Sequence, residues 1–163
     1  MDRKVWIVDE HDEVIGKKLR SKVTHADIAR TSAVWVVNSN DEILLARRSA
    51  AKKFNPNQWG PAAAGTVEIT EDYTSNAVKE LEEELGVRVA LMQLNPLSKK
   101  LIDSGKNRYF MQWFSVLVDT KIENMKFDTK EVSEIKWFSK DELLNLLRKS
   151  PEIFEPAAQH FPL

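Results

Sequence analysis

Residues 79–86, KELEEELG, restrict the chain more than any other stretch, because they set four glutamates and a lysine within a turn and a half of helix. On a helix Glu80, Glu83 and Glu84 fall at i, i+3 and i+4, so their carboxylates leave a sector about 100° wide. Glu82 points elsewhere. Ala77, Leu81 and Leu85 recur every four residues as a buried stripe, Asp72 is suited to cap the start, and Gly86 ends the helix. Such a helix gains nothing from its own repulsion, so the sequence asks what those carboxylates hold.

The surrounding elements follow from apolar pattern and turn chemistry. KVWIV and VIGKKL flank the polar DEHDE as an N-terminal hairpin, and SAVWVV and EILLAR flank NSND as a second, central one. From Arg47 to Trp59, RRSAAKKFNPNQW has no periodicity and is expected to be a loop, followed by AAAGTVE as a short or bulged strand. VRVALM, LSKKLI, RYFMQWFSVLVD and VSEIKWF are expected strands, with DSGKN a hairpin turn. Ser139 and Glu142 form an expected capping box, and Ser150-Pro151 an expected start of a last helix.

At 163 residues with a formal net charge of -1, the chain is expected to be one domain, 1–163, with no global attraction to nucleic acid or membrane. Any grip on phosphate must be local. The absence of cysteine removes disulfides, thiolate metal sites and thiol nucleophiles together. The charged start MDRKVWIVDEHDE lacks a signal-peptide core and no stretch reaches membrane-spanning length, so a cytoplasmic location is expected.

Around the helix the spacing is Gly65, five residues, Glu71, seven residues, Lys79-Glu80-Leu81, one residue, Glu83-Glu84, one residue, Gly86-Val87. This pattern resembles the Nudix box, departing from it only at Lys79, where that family has arginine. The resemblance implies an α/β Nudix fold, an α/β/α sandwich with a mixed central sheet and an N-terminal β-hairpin. It implies Mg2+ or Mn2+ held by Glu80, Glu83, Glu84 and the main-chain carbonyl of Ala64. Glu71 and Lys79 would orient these ligands, the lysine offering a point charge in place of a planar fork. A hard cation that keeps part of its water shell suits a one-sided carboxylate cluster shared with substrate phosphates. The catalytic base stays open between Glu80 and the pair Glu131 and Glu134 in KEVSEIKW.

The loop at Arg47, Arg48, Lys52, Lys53 and Trp59 resembles that of type I isopentenyl-diphosphate isomerase and its hydrolase-like relatives. That likeness implies a diphosphate clamp by Arg48 and Lys52, with Arg47 beside it and Trp59 as a pocket wall. Isomerisation itself is not expected. Ala64 stands where the isomerase has its cysteine, Thr66 where it has a histidine, and Asn107 to Tyr109 where it has carboxylates. The expected activity is metal-dependent hydrolysis of a diphosphate linkage in a nucleoside diphosphate derivative or similar X-diphosphate compound. A diphosphate-binding module without turnover is the alternative. The expected partner is a small molecule, with no specific nucleic acid, no membrane and a possible homodimer through the N-terminal hairpin. Trp6, Trp35, Trp113 and Trp137 are expected in the core. His11, His25 and His160 lack ligand spacing, and only His25 is a remote ligand candidate.

Overall fold

A computed structural model describes residues 1–163. Five strands come from the first part of the chain: β1 (Lys4–Val8), β2 (Val14–Leu19), β3 (Ile28–Val37), β4 (Ile43–Arg48) and β5 (Trp59–Pro61). They are followed by β6 (Ala63–Thr66), helix α1 (Tyr73–Leu85), β7 (Asn95–Asp103), β8 (Arg108–Leu117), β9 (Val132–Phe138) and helix α2 (Lys140–Lys149). All nine strands belong to one mixed sheet that forks at its centre. β3 and β4 pair only beside their turn, at Val36–Leu44 and Val37–Ile43. Beyond that point β6 pairs antiparallel with β3 and β5 with β4, while β8 runs parallel to β3 and β9 antiparallel to β4 along the full length of each. The fork therefore puts Ala64 and Gly65 opposite Ala33 and Ser32 in the middle of the sheet.

Strand periodicity divides the core into two layers. Val34, Val36, Leu44 and Ala46 meet Ala77, Leu81 and Leu85 of α1 on one face. Their neighbours Ala33, Trp35, Ile43 and Leu45 meet Leu143 of α2, Phe154, Ala157 and Phe161 on the other. A sheet covered on both faces reads as continuous apolar runs, as SAVWVV and EILLAR do. This is the α/β/α sandwich expected from the sequence. Trp35 and Trp113 lie in the second layer, 6% and 0% exposed, with their rings edge to face.

α1 begins where Asp72 accepts from the Ser75 N–H at 2.7 Å while the Ser75 hydroxyl accepts from the Asp72 N–H, a reciprocal cap. It ends at Gly86, whose φ of 65° is a left-handed conformation that a Cβ would strain. At α2 only half of the expected box forms. Ser139 accepts from the Glu142 N–H, but the Glu142 carboxylate pairs with Lys136 at 2.9 Å instead of returning to the cap.

Two expected elements are absent. VRVALM is not a strand: residues 87–90 are irregular and Leu91–Gln93 form a 3-10 turn. Val87 drops into the α1 core while Leu91 and Met92 stay 54% and 90% exposed, so the run packs on the helix rather than pairing with a strand. After Pro151 there is no α-helix but two 3-10 turns, Pro151–Ile153 and Pro156–His160. Pro156 has no N–H to donate and holds Glu155 extended, at φ -68° and ψ 157°, which breaks the helix.

The N-terminal hairpin is fastened to the sandwich by Asp12, a buried carboxylate at its turn. Asp12 accepts from Arg30 Nε at 2.7 Å, from Lys99 Nζ at 2.5 Å and from the Tyr73 hydroxyl at 3.1 Å. Burial opposes its ionisation, but the Lys99 and Arg30 hydrogen bonds outweigh that and hold its pKa below the ordinary value. Asp12 sits at φ 64°, a conformation asparagine also tolerates, so Asp12→Asn isolates the charge from the backbone. That variant should lose about 3 kcal/mol in urea unfolding, because two cations are left facing a neutral group. A loss below about 0.5 kcal/mol would show that solvent already screens the cluster.

Candidate active site

Every functional side chain on α1 is placed by the buried stripe next to it. Asn76, Glu80 and Glu84 are spaced by four, so the packing of Ala77, Leu81 and Leu85 turns all three toward β6. Asn76 is fully buried. Its Nδ2 donates to the Thr66 carbonyl at 3.2 Å, to Glu71 at 2.9 Å and to Glu80 at 3.4 Å, and its Oδ1 accepts from Ser32. It thus ties the expected site residues Glu71 and Glu80 to β3 and β6. The sequence signal for it was a polar residue four before Glu80, on the buried side of the helix.

Glu80 lies directly on Gly65. A Cβ built on Gly65 would collide with the Glu80 Cδ and Oε1, so the glycine is required for close approach. The Glu80 side chain is only 13% exposed. Burial lifts its pKa to about 7, Lys79 opposes the rise, and Glu83 and Glu71 add to it. Glu84 is pushed well above the ordinary carboxylate value, first by burial, then by Glu80 and Glu131. Glu83 is exposed. No three carboxyl groups yet converge on one ligation point in this conformation. The donors are all oxygens, however, and a pair of carboxyls that resist ionisation is one that a hard dication would ionise.

Lys79 does not contact Glu83, the i+4 partner that helix spacing allows. It turns back to Glu71 at 2.5 Å and Glu68 at 3.0 Å, with Glu80 at 3.6 Å. Burial lowers its pKa, but Glu71 and Glu68 outweigh this and raise it above the ordinary lysine value. Glu68, which pattern reasoning missed, also receives Arg3 from the N-terminus at 2.5 Å.

The basic loop divides its residues between roles. Arg48 Nε donates to the Phe54 carbonyl at 3.0 Å and faces Glu155 at 3.9 Å. Lys52 contacts Glu131, and the Ser49 N–H donates to the Glu131 carbonyl at 2.9 Å, which docks the loop on the start of β9. Arg47 faces outward to the Asn57 carbonyl and Glu134. Trp59 packs edge to face on Phe138 with ring centroids 5.3 Å apart. Of the four expected substrate contacts, Arg48 alone borders the main cavity. That cavity, about 740 Å³, is bounded by Thr31 of β3, Ala64 and Gly65 of β6, Arg48, Tyr109 of β8 and Glu155. A small recess beside it joins Arg48 and Ala64 to Glu84, Glu131 and Glu155. His25 pairs with Asp103 on the surface, at 2.9 Å.

Glu155 is a second residue that the sequence hid. Its carboxyl rests on Gly60, where a Cβ would lie 2.5 Å from Glu155 Cδ, and its N–H donates to the Trp59 carbonyl at 2.9 Å. Burial raises its pKa to about 7 against the pull of Arg48. No local motif marks it, because its position depends on the break at Pro156.

The model of the NUDIX domain family matches residues 28–159, so the chain belongs to the Nudix hydrolases. It is accordingly a pyrophosphohydrolase, and divalent metal ions are the cofactors these enzymes generally use. An uncharacterized Nudix hydrolase of Pseudomonas aeruginosa is 30% identical over 145 residues, 88% of this chain and 83% of that protein. A prenyl-diphosphate phosphatase of Methanosarcina mazei is 26% identical over 151 residues, 92% of this chain and 87% of that one. The crystal structure of DR0079 from Deinococcus radiodurans superposes with a TM-score of 0.81 at 22% identity, covering 99% of this chain and 100% of its own. No helix is long and apolar enough to cross a membrane.

Two expectations follow. With metal removed by EDTA, the protonated forms of Glu80, Glu84 and Glu155 stabilise the fold at low pH. Groups whose folded pKa exceeds the unfolded value lose that contribution as pH rises, here through about 7 for Glu80 and Glu155. The melting temperature in EDTA should therefore fall between pH 5 and pH 8, less steeply in Glu80→Gln, and added Mg2+ or Mn2+ should restore it at pH 8. A parent protein whose melting temperature in EDTA climbs over that range contradicts the assignment. Second, Lys79→Met should lower turnover by at least about tenfold while Lys79→Arg retains it, since three carboxylates lose their shared cation. Unchanged kinetics in the methionine variant would reduce Lys79 to a helix surface residue.

Proposed function

We propose that this enzyme hydrolyses the diphosphate linkage of an X-diphosphate compound with a polar X group, using Mg2+ or Mn2+. The observation that carries this reading is the junction at Ala64–Gly65. Glu80 lies against Gly65, Glu84 shares a small recess with Arg48 and Ala64, and Arg48, Ala64 and Gly65 form part of the main cavity wall beside that recess. Glu80, Glu83, Glu84 and the Ala64 carbonyl would hold the metal. Bound there, it would offset diphosphate charge and lower the pKa of a coordinated water.

The chain's own residues supply orientation and charge. Arg48 presents a guanidinium whose Nε is already committed to Phe54, leaving its remaining N–H groups for phosphate oxygens. Asn76 and Lys79 fix Glu80 and Glu71, so the acidic sector keeps its angle as charge changes. Of the base candidates, Glu134 is exposed and held by Arg47, whereas Glu131 shares the recess with Glu84. Glu131 is thus the better placed of the two to accept a proton.

Likeness to the Methanosarcina prenyl-diphosphate phosphatase supports cleavage at a diphosphate, but the basic side chains on the cavity wall favour a polar X over a prenyl chain. The test is a panel of nucleoside diphosphates, nucleotide sugars and prenyl diphosphates with each metal, reading phosphate, pyrophosphate and monoester products separately. Glu84→Gln, folded as the parent, should reduce turnover on every active substrate by about two to four powers of ten. Near-normal turnover with an unchanged metal optimum would overturn the proposed metal site. Binding without product release across the panel would overturn the hydrolytic reading itself.

A further inference from the structure

The main cavity carries more positive charge than a diphosphate clamp needs. Five basic side chains border it: Arg20, Arg48, Lys53, Lys106 and Arg108. Only two acidic ones do, Asp2 and Glu155, on a chain whose formal net charge is -1. Arg48 serves the diphosphate in the reading above. Of the other four, Arg108 pairs with Glu10 at 3.2 Å, while Arg20, Lys53 and Lys106 have no ion pair and no side-chain hydrogen bond. Lys53 stands over the Phe54 ring, 5.4 Å from its centroid.

These cations come from three separate places in the chain. Arg20 opens the 3-10 turn after β2, Lys53 lies in the loop after β4, and Lys106 and Arg108 flank the end of the β7–β8 turn. Arg20, Lys53 and Lys106 are each exposed, so water screens them singly and none needs a partner for the fold. Like charges brought to one concave wall by three segments repel each other there, and folding gains nothing from their convergence. A ligand with matching charge would gain. Asp2, one of the two acidic residues, is occupied by the Ser21 N–H at 3.2 Å and the Ser21 hydroxyl, which leaves Arg20 free of it.

We infer that the substrate carries a phosphate beyond the diphosphate held at Arg48, and that Arg20, Lys53 and Lys106 with Arg108 bind it. This deepens the proposed function and rests on it for the placement of the diphosphate. The extra phosphate has two chemical sources, a longer phosphate chain or a phosphate ester on the X group, and both present the same dianion to the same wall. The likeness to a prenyl-diphosphate phosphatase gives no such anion, so the two substrate classes make opposite demands on these residues.

The test compares one nucleoside as its 5′-diphosphate, its 5′-triphosphate and its 3′-phosphate 5′-diphosphate. Each is assayed by kcat/KM in the parent, in Lys106→Gln and in Arg20→Gln/Lys106→Gln. Binding of the same three compounds is measured by titration calorimetry in Glu84→Gln with Mg2+, so that the preference is read even if hydrolysis fails. The parent should favour at least one extended compound over the plain diphosphate by about tenfold or more, mainly through KM. That ratio should shrink toward one in the double variant and with added salt. Which compound shows it identifies the source of the phosphate. A parent with no preference for either extended compound, in kinetics and in calorimetry, overturns the proposal. So does a preference that survives in the double variant. Absence of turnover with an intact, Lys106-dependent binding preference would instead strike the hydrolytic reading alone.

Discussion

The site depends on one close approach, the Glu80 carboxyl lying against the face of Gly65. A carboxylate that leaves water without a full set of donors carries a large desolvation penalty, and here only Asn76 and the nearby Lys79 offset it. The molecule can hold such a group because α1 is clamped from beneath by Ala77, Leu81 and Leu85 against a rigid sheet. The helix cannot rotate to return Glu80 to solvent without lifting that stripe from the core. Packing energy thus holds in place an electrostatically unfavourable arrangement, one that the proposed metal site would relieve.

The fork of the sheet gives this arrangement its second half. Had β3 and β4 stayed paired along their length, β4 would occupy the place where β6 brings Ala64 and Gly65 to α1. Instead β4 departs with β5 and β9, and carries Arg48 and the basic loop to the other side of the same junction. Glu84 of the acidic helix and Arg48 at the head of the basic loop thereby meet in the small recess beside the main cavity. The C-terminal 3-10 segment closes this cavity from the side, with Glu155 resting on Gly60 and Ala157 in the wall.

Much of this was legible in the chain. Strand runs, the α1 caps, the Nudix spacing and the irregular loop, 49–58 within the expected 47–59, all follow from local rules, because each is determined by a few neighbouring residues. The two missed elements each lost to a constraint outside their own stretch of good propensity. VRVALM has strand composition but its Val87 is drawn into the α1 core, and the segment after Pro151 has a good helix start but a second proline that interrupts it. Local propensity proposes, and the availability of partners decides.

By itself the sequence determined the acidic sector of α1, the absence of any thiol chemistry and the identity of the family, since helical spacing and residue type suffice for each. Only the tertiary structure decided which charges meet. It sent Lys79 to Glu68 and Glu71 rather than Glu83, Lys52 to Glu131, and Arg47 out to Glu134. It also brought Glu155, Arg20 and Lys106 to the site from positions that no local pattern marks. Side-chain reach extends over several ångströms, and partners for a charge are chosen in space among residues up to a hundred positions apart. A linear pattern records what each group is, while the fold alone sets what lies within its reach.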